Sequence, residues 1–477
     1  MSYLRRFYAL TLSLASTVVA TIPATAANLG VLEVSGTGGG VTKAEQQISE
    51  PFNVDFRDFD AVTNLFSTSS AATLNYTDEA ERSLNNVGNM FTTIVNNGPS
   101  SNRVDVVFLG DGYTSADLAA GIYDNHITNY RNYKFSNSLN SDPFFRYRNY
   151  FNIHKIDVVS NESGADVPPL SIFRDTALDG SYYFEGGSER LLYVNTGKSD
   201  TVRDLALTGA EFTAEMQYVT INDTKYGGGG GLYAAYAGGD ASSLEVALHE
   251  IGHSFSNLAD EYGGSTDPYT GAEPSEVNVT KDATGDKWSR WNGYNQSGIG
   301  VIGAYEGGRY YDTGIYRPSN DSKMRSLNRP FDAVGREKII LDIYNFVTPL
   351  DSWLDNSTPL IDPNELFVNV IDDNVINLEW FVDGTLIPQV SGKTFNLSNF
   401  GYGVGDYVVS TRAFDPTAFD PVDGWVRTNQ SKLEQFVSWN VTITAVPEPS
   451  TMVSVGVGLI WLASSRRKLT SQSGKRK

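Results

Sequence analysis

The chain has 477 residues and no cysteine, with 36 Lys and Arg against 56 Asp and Glu, a formal net charge of −20. Such acidity repels nucleic acid and anionic lipid and argues against either as a partner, and without cysteine each domain must hold itself together by burial rather than by disulfides. The length suits about three domains, and 40% apolar with 12% aromatic residues excludes wholesale disorder.

Residues 1–26 carry Arg5 and Arg6, an apolar run from Phe7 to Ile22, and then Ala24-Thr25-Ala26. This order predicts a secretory signal peptide cleaved after Ala26 or Ala27. The run is shorter than the ~20 residues a membrane span needs. Residues 27–100 say least: a flexible run at 36–40, alternation over 52–59 and a helix-like pattern over 79–96 fit either a small sandwich or a pro-like segment.

A larger domain is predicted over 101–350. Residues 104–109 read as a buried strand, Gly110-Asp111-Gly112-Tyr113 as a turn, 115–135 as a helix and 151–159 as a second strand, together a βαβ unit. Asp111, Glu162 and Asp166 are loop carboxylates read as turn-formers, with no catalytic role. Another apolar strand spans 216–223, followed by glycines at 227–231. That stretch is either an exposed edge for a peptide or a loose linker.

The most informative stretch is 242–262, SSLEVALHEIGHSFSNLADEY. Leu244, Leu248, Ile251, Phe255 and Leu258 recur at helical spacing, and Ser242 with Glu245 fits a capping box. On the neighbouring flank His249 and His253 stand at i and i+4, about 5–6 Å apart at Cβ, so both can reach one ion. Zinc is the predicted metal. Glu250, turned away from the ligands, is placed to face the attacking water as general base and later acid. Only 4 His occur in the chain and two of them flank this Glu, which argues against coincidence; His126 and His154 read as structural. The third ligand is assigned to Asp260, with Glu261 as runner-up, provided that the helix ends near Ser256–Asn257, where Asn tolerates a left-handed exit. The loop over 263–319 offers Tyr305, Tyr310 and Tyr311 as candidates for substrate contact or oxyanion support.

His-Glu-Ile-Gly-His-Ser-Phe-Ser-Asn-Leu-Ala-Asp-Glu-Tyr resembles the signature of the IgA-peptidase family of bacterial zinc metallopeptidases, which is similar to the metzincins. The LGDGY, Pro-Phe-Phe and SNESGAD stretches resemble the same family. The longer metzincin pattern has Gly where Ser256 stands and its third ligand where Ala259 stands, so the acidic pair falls one residue late. The resemblance implies a metzincin-like α/β fold, use of the strand before the active helix as the edge that pairs with substrate, and a Met-turn under the metal at Met324.

Residues 351–364, with Pro359 and Pro363, read as a linker. From 365 to 445 the pattern has period two, with a hairpin signal at Asp383-Gly384, predicting an all-β sandwich of immunoglobulin-like type. Val446-Pro447-Glu448-Pro449-Ser450, an apolar run from Met452 to Ala463 and Arg466-Arg467-Lys468 resemble the PEP-CTERM sorting signal over 446–468, read by an exosortase; 469–477 is a basic tail.

The sequence therefore predicts a multidomain chain: an α/β metzincin-like zinc peptidase domain, then an all-β immunoglobulin-like sandwich. Its expected activity is that of an exported, envelope-sorted zinc metalloendopeptidase with protein or peptide substrates. The alternatives are an adhesion or matrix-binding scaffold and a zinc amidase acting on cell-wall material. No D-x-D-x-D-G loop closes on a Glu, so calcium is not indicated.

Overall fold

The structure, a computed structural model, describes residues 91–445 and the backbone alone of three short antiparallel strands, Val18–Thr21, Val31–Gly36 and Gly40–Glu45. Apart from those strands, the expected signal peptide, the rest of 27–90, the sorting segment and the basic tail lie outside the described residues. The chain divides into two units: Met1–Thr348 with Thr417–Lys432, and Pro349–Pro416 with Leu433–Lys477.

The first unit is built on a six-stranded mixed sheet. Its strands are β1 (Phe91–Val95), β2 (Val104–Asp111), β3 (Phe151–Ile156), β4 (Met216–Ile221), β5 (Gly228–Gly230) and β6 (Ala234–Ala237), in the order β1-β3-β2-β4-β6-β5. The four central strands are parallel, and β1 and β5 are antiparallel edges. Every residue of β2 is buried, as expected for a Val-rich strand covered on both faces.

Four expectations change here. The sheet already includes Phe91–Val95, ahead of the expected start at 101, because the β-branched run FTTIV pairs as a strand where the pattern over 79–96 suggested a helix. The expected helix over 115–135 is two, α1 (Ser115–Ala119) and α2 (Ile122–Lys134), separated at Gly121, whose φ of 70° is left-handed. The 216–223 strand is not an edge, since β4 pairs with both β2 and β6. The edge is the glycine strand β5, and its outer side is itself partly covered: Gly228 N donates to Arg190 O, and Leu192 N to Gly228 O.

Helix α3 (Ser243–Ser256) lies on β6, β5 and β4, between α2 and the last helix, α4 (Ala333–Ile343). Leu248 and Ile251 are buried as their spacing predicts, but Leu244 and Phe255 are only half-buried, whereas Glu245, Val246 and Ala247 are buried too. With neighbours on several sides, the helix presents more than one stripe to the interior.

Glu337 of α4 explains why Thr417–Lys432 belongs to this unit. Its buried carboxylate accepts from Arg290 Nε (2.9 Å) and Trp291 Nε1 (2.8 Å), and from the backbone N–H of Arg427 (2.6 Å) and Thr428 (3.0 Å). A buried carboxylate needs this many donors, and here they come from segments far apart in the chain. The expected 365–445 domain is therefore interrupted at 417–432.

The second unit is β-rich, with two sheets. One contains β7 (Leu350–Trp353), β9 (Leu366–Val370) and β12 (Thr394–Phe395). The other contains β8 (Leu360–Ile361), β14 (Glu434–Ile443), β13 (Gly405–Phe414), β10 (Asn377–Val382) and β11 (Thr385–Leu386). The expected linker at 351–364 carries short strand pieces, at 351–353 and 360–361: β7 pairs with β9 and β8 with β14, so sheet edges recruit parts of it despite the local Pro signals. Asp383 and Gly384, with φ of 49° and 76°, make the two-residue hairpin between β10 and β11. Trp380 and Trp439 stack at 5.8 Å and Phe395 of the smaller sheet lies 5.4 Å from Trp380, so aromatic faces of both sheets share one core.

Candidate metal centre and active site

Helix α3 stops at Ser256 because Asn257 turns left-handed (φ 48°, ψ 44°), and Leu258 N then donates to Gly252 O at 3.0 Å. The reversal sends the chain back along the helix. His253 Nδ1 lies 2.6 Å from Leu258 O, and His249 Nδ1 lies 2.9 Å from Lys323 O. A carbonyl oxygen can only accept, so each Nδ1 carries its ring's proton and each Nε2 keeps a lone pair.

Those two Nε2 atoms are 3.1 Å apart, and Asp260 Oδ1 stands 3.2 and 3.3 Å from them. Two lone pairs and a carboxylate oxygen at such distances repel one another unless a cation lies between them. A proton can be that cation as well as a metal: burial works against a charged His253, yet Asp260 beside it raises its pKa to about 9. Burial likewise opposes an ionised Asp260, but the two imidazoles hold its carboxyl well below the usual range. Oδ1 of Asp260 is buried and accepts no hydrogen bond among the described residues. The edges of this triangle match the roughly 3.3 Å between tetrahedral ligands whose bonds to zinc are about 2.0–2.1 Å. The spacing of these three donor atoms therefore fits a zinc ion.

Glu250 is buried in the same cluster, its carboxylate within 4.8 Å of the donor atoms of His249 and His253. Burial raises its pKa, against the pull of the two imidazoles. Its Oε1 lies over β5: a Cβ on Gly228 would come 2.9 Å from it and 2.4 Å from Val246 Cγ1. A Cβ on Gly230 would come 2.4 Å from His253 Cβ. Glycine at these alternate positions brings the edge strand close against α3, so the glycine run is a packing surface rather than a loose linker.

Glu261, the runner-up ligand, faces elsewhere. Asn278 Nδ2 (2.9 Å) and Ser322 Oγ (2.6 Å) donate to its buried carboxyl, which ties it to the turn that carries Met324. Met324 is buried under the helix: a Cβ on Gly252 would come 2.7 Å from its Sδ. The Ser242–Glu245 capping box does not form; Ser242 makes no side-chain cap. Glu245 instead accepts from Lys323 Nζ (2.5 Å) and Asn328 N (2.7 Å), a buried pair that holds the turn supplying the carbonyl to His249. Sequence reasoning missed Lys323 because its partner lies 78 positions away.

Of the three tyrosines, only Tyr310 reaches the centre, its hydroxyl donating to Asp260 Oδ2. Tyr305 donates to Val301 O, and Tyr311 packs on Tyr269. His126 bonds Tyr113, and His154 bonds Asp105 and Thr93, both away from the cluster. Glu162 and Asp166 accept from the backbone N–H of Asp175 and Arg174. Asp111 is buried and accepts from Leu178 N, Gly180 N and Thr176 Oγ1, which pins the loop after β3.

Burial raises the Asp111 pKa to about 6. A raised folded-state value favours the protonated form, so its contribution is full below about pH 4 and is lost as the pH rises through 6. Two pKa units correspond to about 3 kcal/mol. The difference in unfolding free energy between the protein and Asp111→Asn is expected to shrink over that window. Parallel stability curves from pH 4 to 7 would contradict this.

The IgA Peptidase M64 family model matches residues 92–300 and 294–343, which together span more than half of the chain. The chain belongs to the IgA Peptidase M64 family. As an M64 peptidase with an intact His249-Glu250-x-x-His253 group, it is a metallopeptidase, a hydrolase. No curated protein matches the chain. The matched residues of this M64 peptidase start at β1 and end with α4, so they cover the sheet, the metal centre and the Met324 turn together.

Proposed function

We propose that this M64 peptidase is an exported, envelope-sorted zinc metalloendopeptidase. The observation that carries the catalytic reading is the convergence of His249 Nε2, His253 Nε2 and the unsatisfied Asp260 Oδ1 beside Glu250. When bound, the metal supplies Lewis acidity to the scissile carbonyl and lowers the pKa of the attacking water to about 7. Glu250 takes the proton of that water and passes it to the leaving amine nitrogen. The backbone carbonyls of Leu258 and Lys323 keep the two imidazoles in one tautomer and orientation, and the Tyr310 hydroxyl holds the second oxygen of Asp260.

Export and sorting are supported by the sequence at 1–26 and 446–468, where an exosortase-type enzyme would act. Among the described residues no helix is long and apolar enough to cross a membrane. The alternating strands and shared aromatic core of the second unit support an immunoglobulin-like sandwich that spaces or binds.

Metal analysis and casein cleavage with the purified full chain test the catalytic reading. One zinc per chain is expected. Chelation should abolish cleavage and lower the thermal midpoint, since metal at a thousand times its Kd adds about 4 kcal/mol to the folded state; zinc should restore both. A folded chain that binds no metal would sink the proposal.

A further inference from the structure

A cavity of about 280 Å³ opens beside Glu250, walled by Val246, His249 and Glu250 on the helix side and by Lys323 and Arg325 on the other, with Arg190 near β5. His253 and Asp260 are not part of its wall. Because Glu250 delivers the proton to the leaving nitrogen, the residue that supplies this nitrogen lies on Glu250's side of the reacting bond. This cavity is the space on that side.

Its charge is unusual for a chain of net charge −20. Lys323 is fully buried and tied to Glu245, so the pair adds no net charge. Arg190 and Arg325 are exposed, and among the described residues neither forms an ion pair with a carboxylate. Arg190 Nη2 donates to the Tyr262 hydroxyl at 2.8 Å, with its guanidinium 5.0 Å from that ring. Arg325 Nη1 donates to Asn320 O at 2.7 Å. A guanidinium has five N–H donors, so Arg190, held by the Tyr262 and Tyr226 side chains, and Arg325, held by the Asn320 carbonyl, each keep others for a ligand. Carboxylates are the ligand class that guanidinium forks recognise.

We propose that this cavity selects an acidic side chain, Asp or Glu, on the residue that follows the cleaved bond. The assignment rests on the peptidase reading above and names the substrate class for the same site. A carboxylate could also come from a substrate's own C-terminus, so the test uses peptides amidated at that end and varies the side chain alone.

The experiment compares quenched-fluorescence peptides carrying Glu, Gln or Lys after the cleaved bond, with the zinc-loaded full chain. Glu is expected to exceed Gln by about tenfold in kcat/KM, the size of one exposed charge-assisted contact. Lys should fall below Gln, and the preference should shrink as salt rises. Arg190→Gln combined with Arg325→Gln should erase the difference, and Arg325→Glu alone should shift preference toward Lys; both side chains are exposed, so thermal midpoints should stay put. Independently of turnover, the Glu250→Gln chain should bind the Glu peptide about tenfold more tightly than the Gln peptide by fluorescence anisotropy. Equal turnover and equal binding of the two peptides would overturn the pocket assignment and leave the peptidase standing. No cleavage or binding of any peptide by the zinc-loaded chain would overturn the peptidase reading, and the pocket assignment with it.

Discussion

Replacing Glu250 with Gln should lower kcat/KM by about 10²–10⁴-fold, the usual worth of a positioned general acid and base. The substitution keeps the shape of a buried side chain whose oxygen packs against Gly228, so the fold should persist. Zinc content should also persist, because the converging donor set is His249, His253 and Asp260 rather than Glu250. The pairing of these results is the informative part. An Asp260→Ala chain should lose both activity and metal, whereas the Glu250 variant should lose activity alone. A Glu250→Gln chain that keeps more than a tenth of its activity would remove Glu250 from the chemistry.

The second large effect is structural. Glu245→Ala leaves the Lys323 ammonium buried without its partner and strips Asn328 N of its acceptor. Breaking a buried pair in this way costs about 3–5 kcal/mol, most of it from the uncompensated charge. Burial already pulls the Lys323 pKa down, and Glu245 opposes it. Loss of Glu245 should also loosen the turn whose carbonyl orients His249, so zinc affinity should fall together with stability. Urea unfolding of Glu245→Ala, Lys323→Met and the double variant separates the terms. The double variant should recover most of the loss, since no orphaned charge remains. If it is as unstable as Glu245→Ala, the damage is not electrostatic.

Local periodicity made much of this molecule legible. The i, i+4 histidines around Glu250, the Val-rich β2, the alternating strands of the second unit and the Asp383-Gly384 hairpin each depend on residues a few positions apart. So does the left-handed exit at Asn257, which the sequence allowed as a condition for the third ligand. Sequence alone thus determined the reaction class, the metal-binding helix and the α/β-then-β arrangement of the chain.

Tertiary structure decided the rest, because the deciding contacts join distant positions. Asp260 and Glu261 are adjacent and chemically alike; only the path of the chain after Asn257, and the presence of Asn278 and Ser322 as donors, turns one toward the histidines and the other away. Glu245 looked like a helix cap until Lys323 arrived from 78 positions on. The 351–364 stretch looked like a linker until sheet edges recruited parts of it, and 417–432 looked like part of the sandwich until Glu337 bound it. In each case burial made an unpaired polar group or an open strand edge too costly, and the partner that relieved it could be found only in three dimensions.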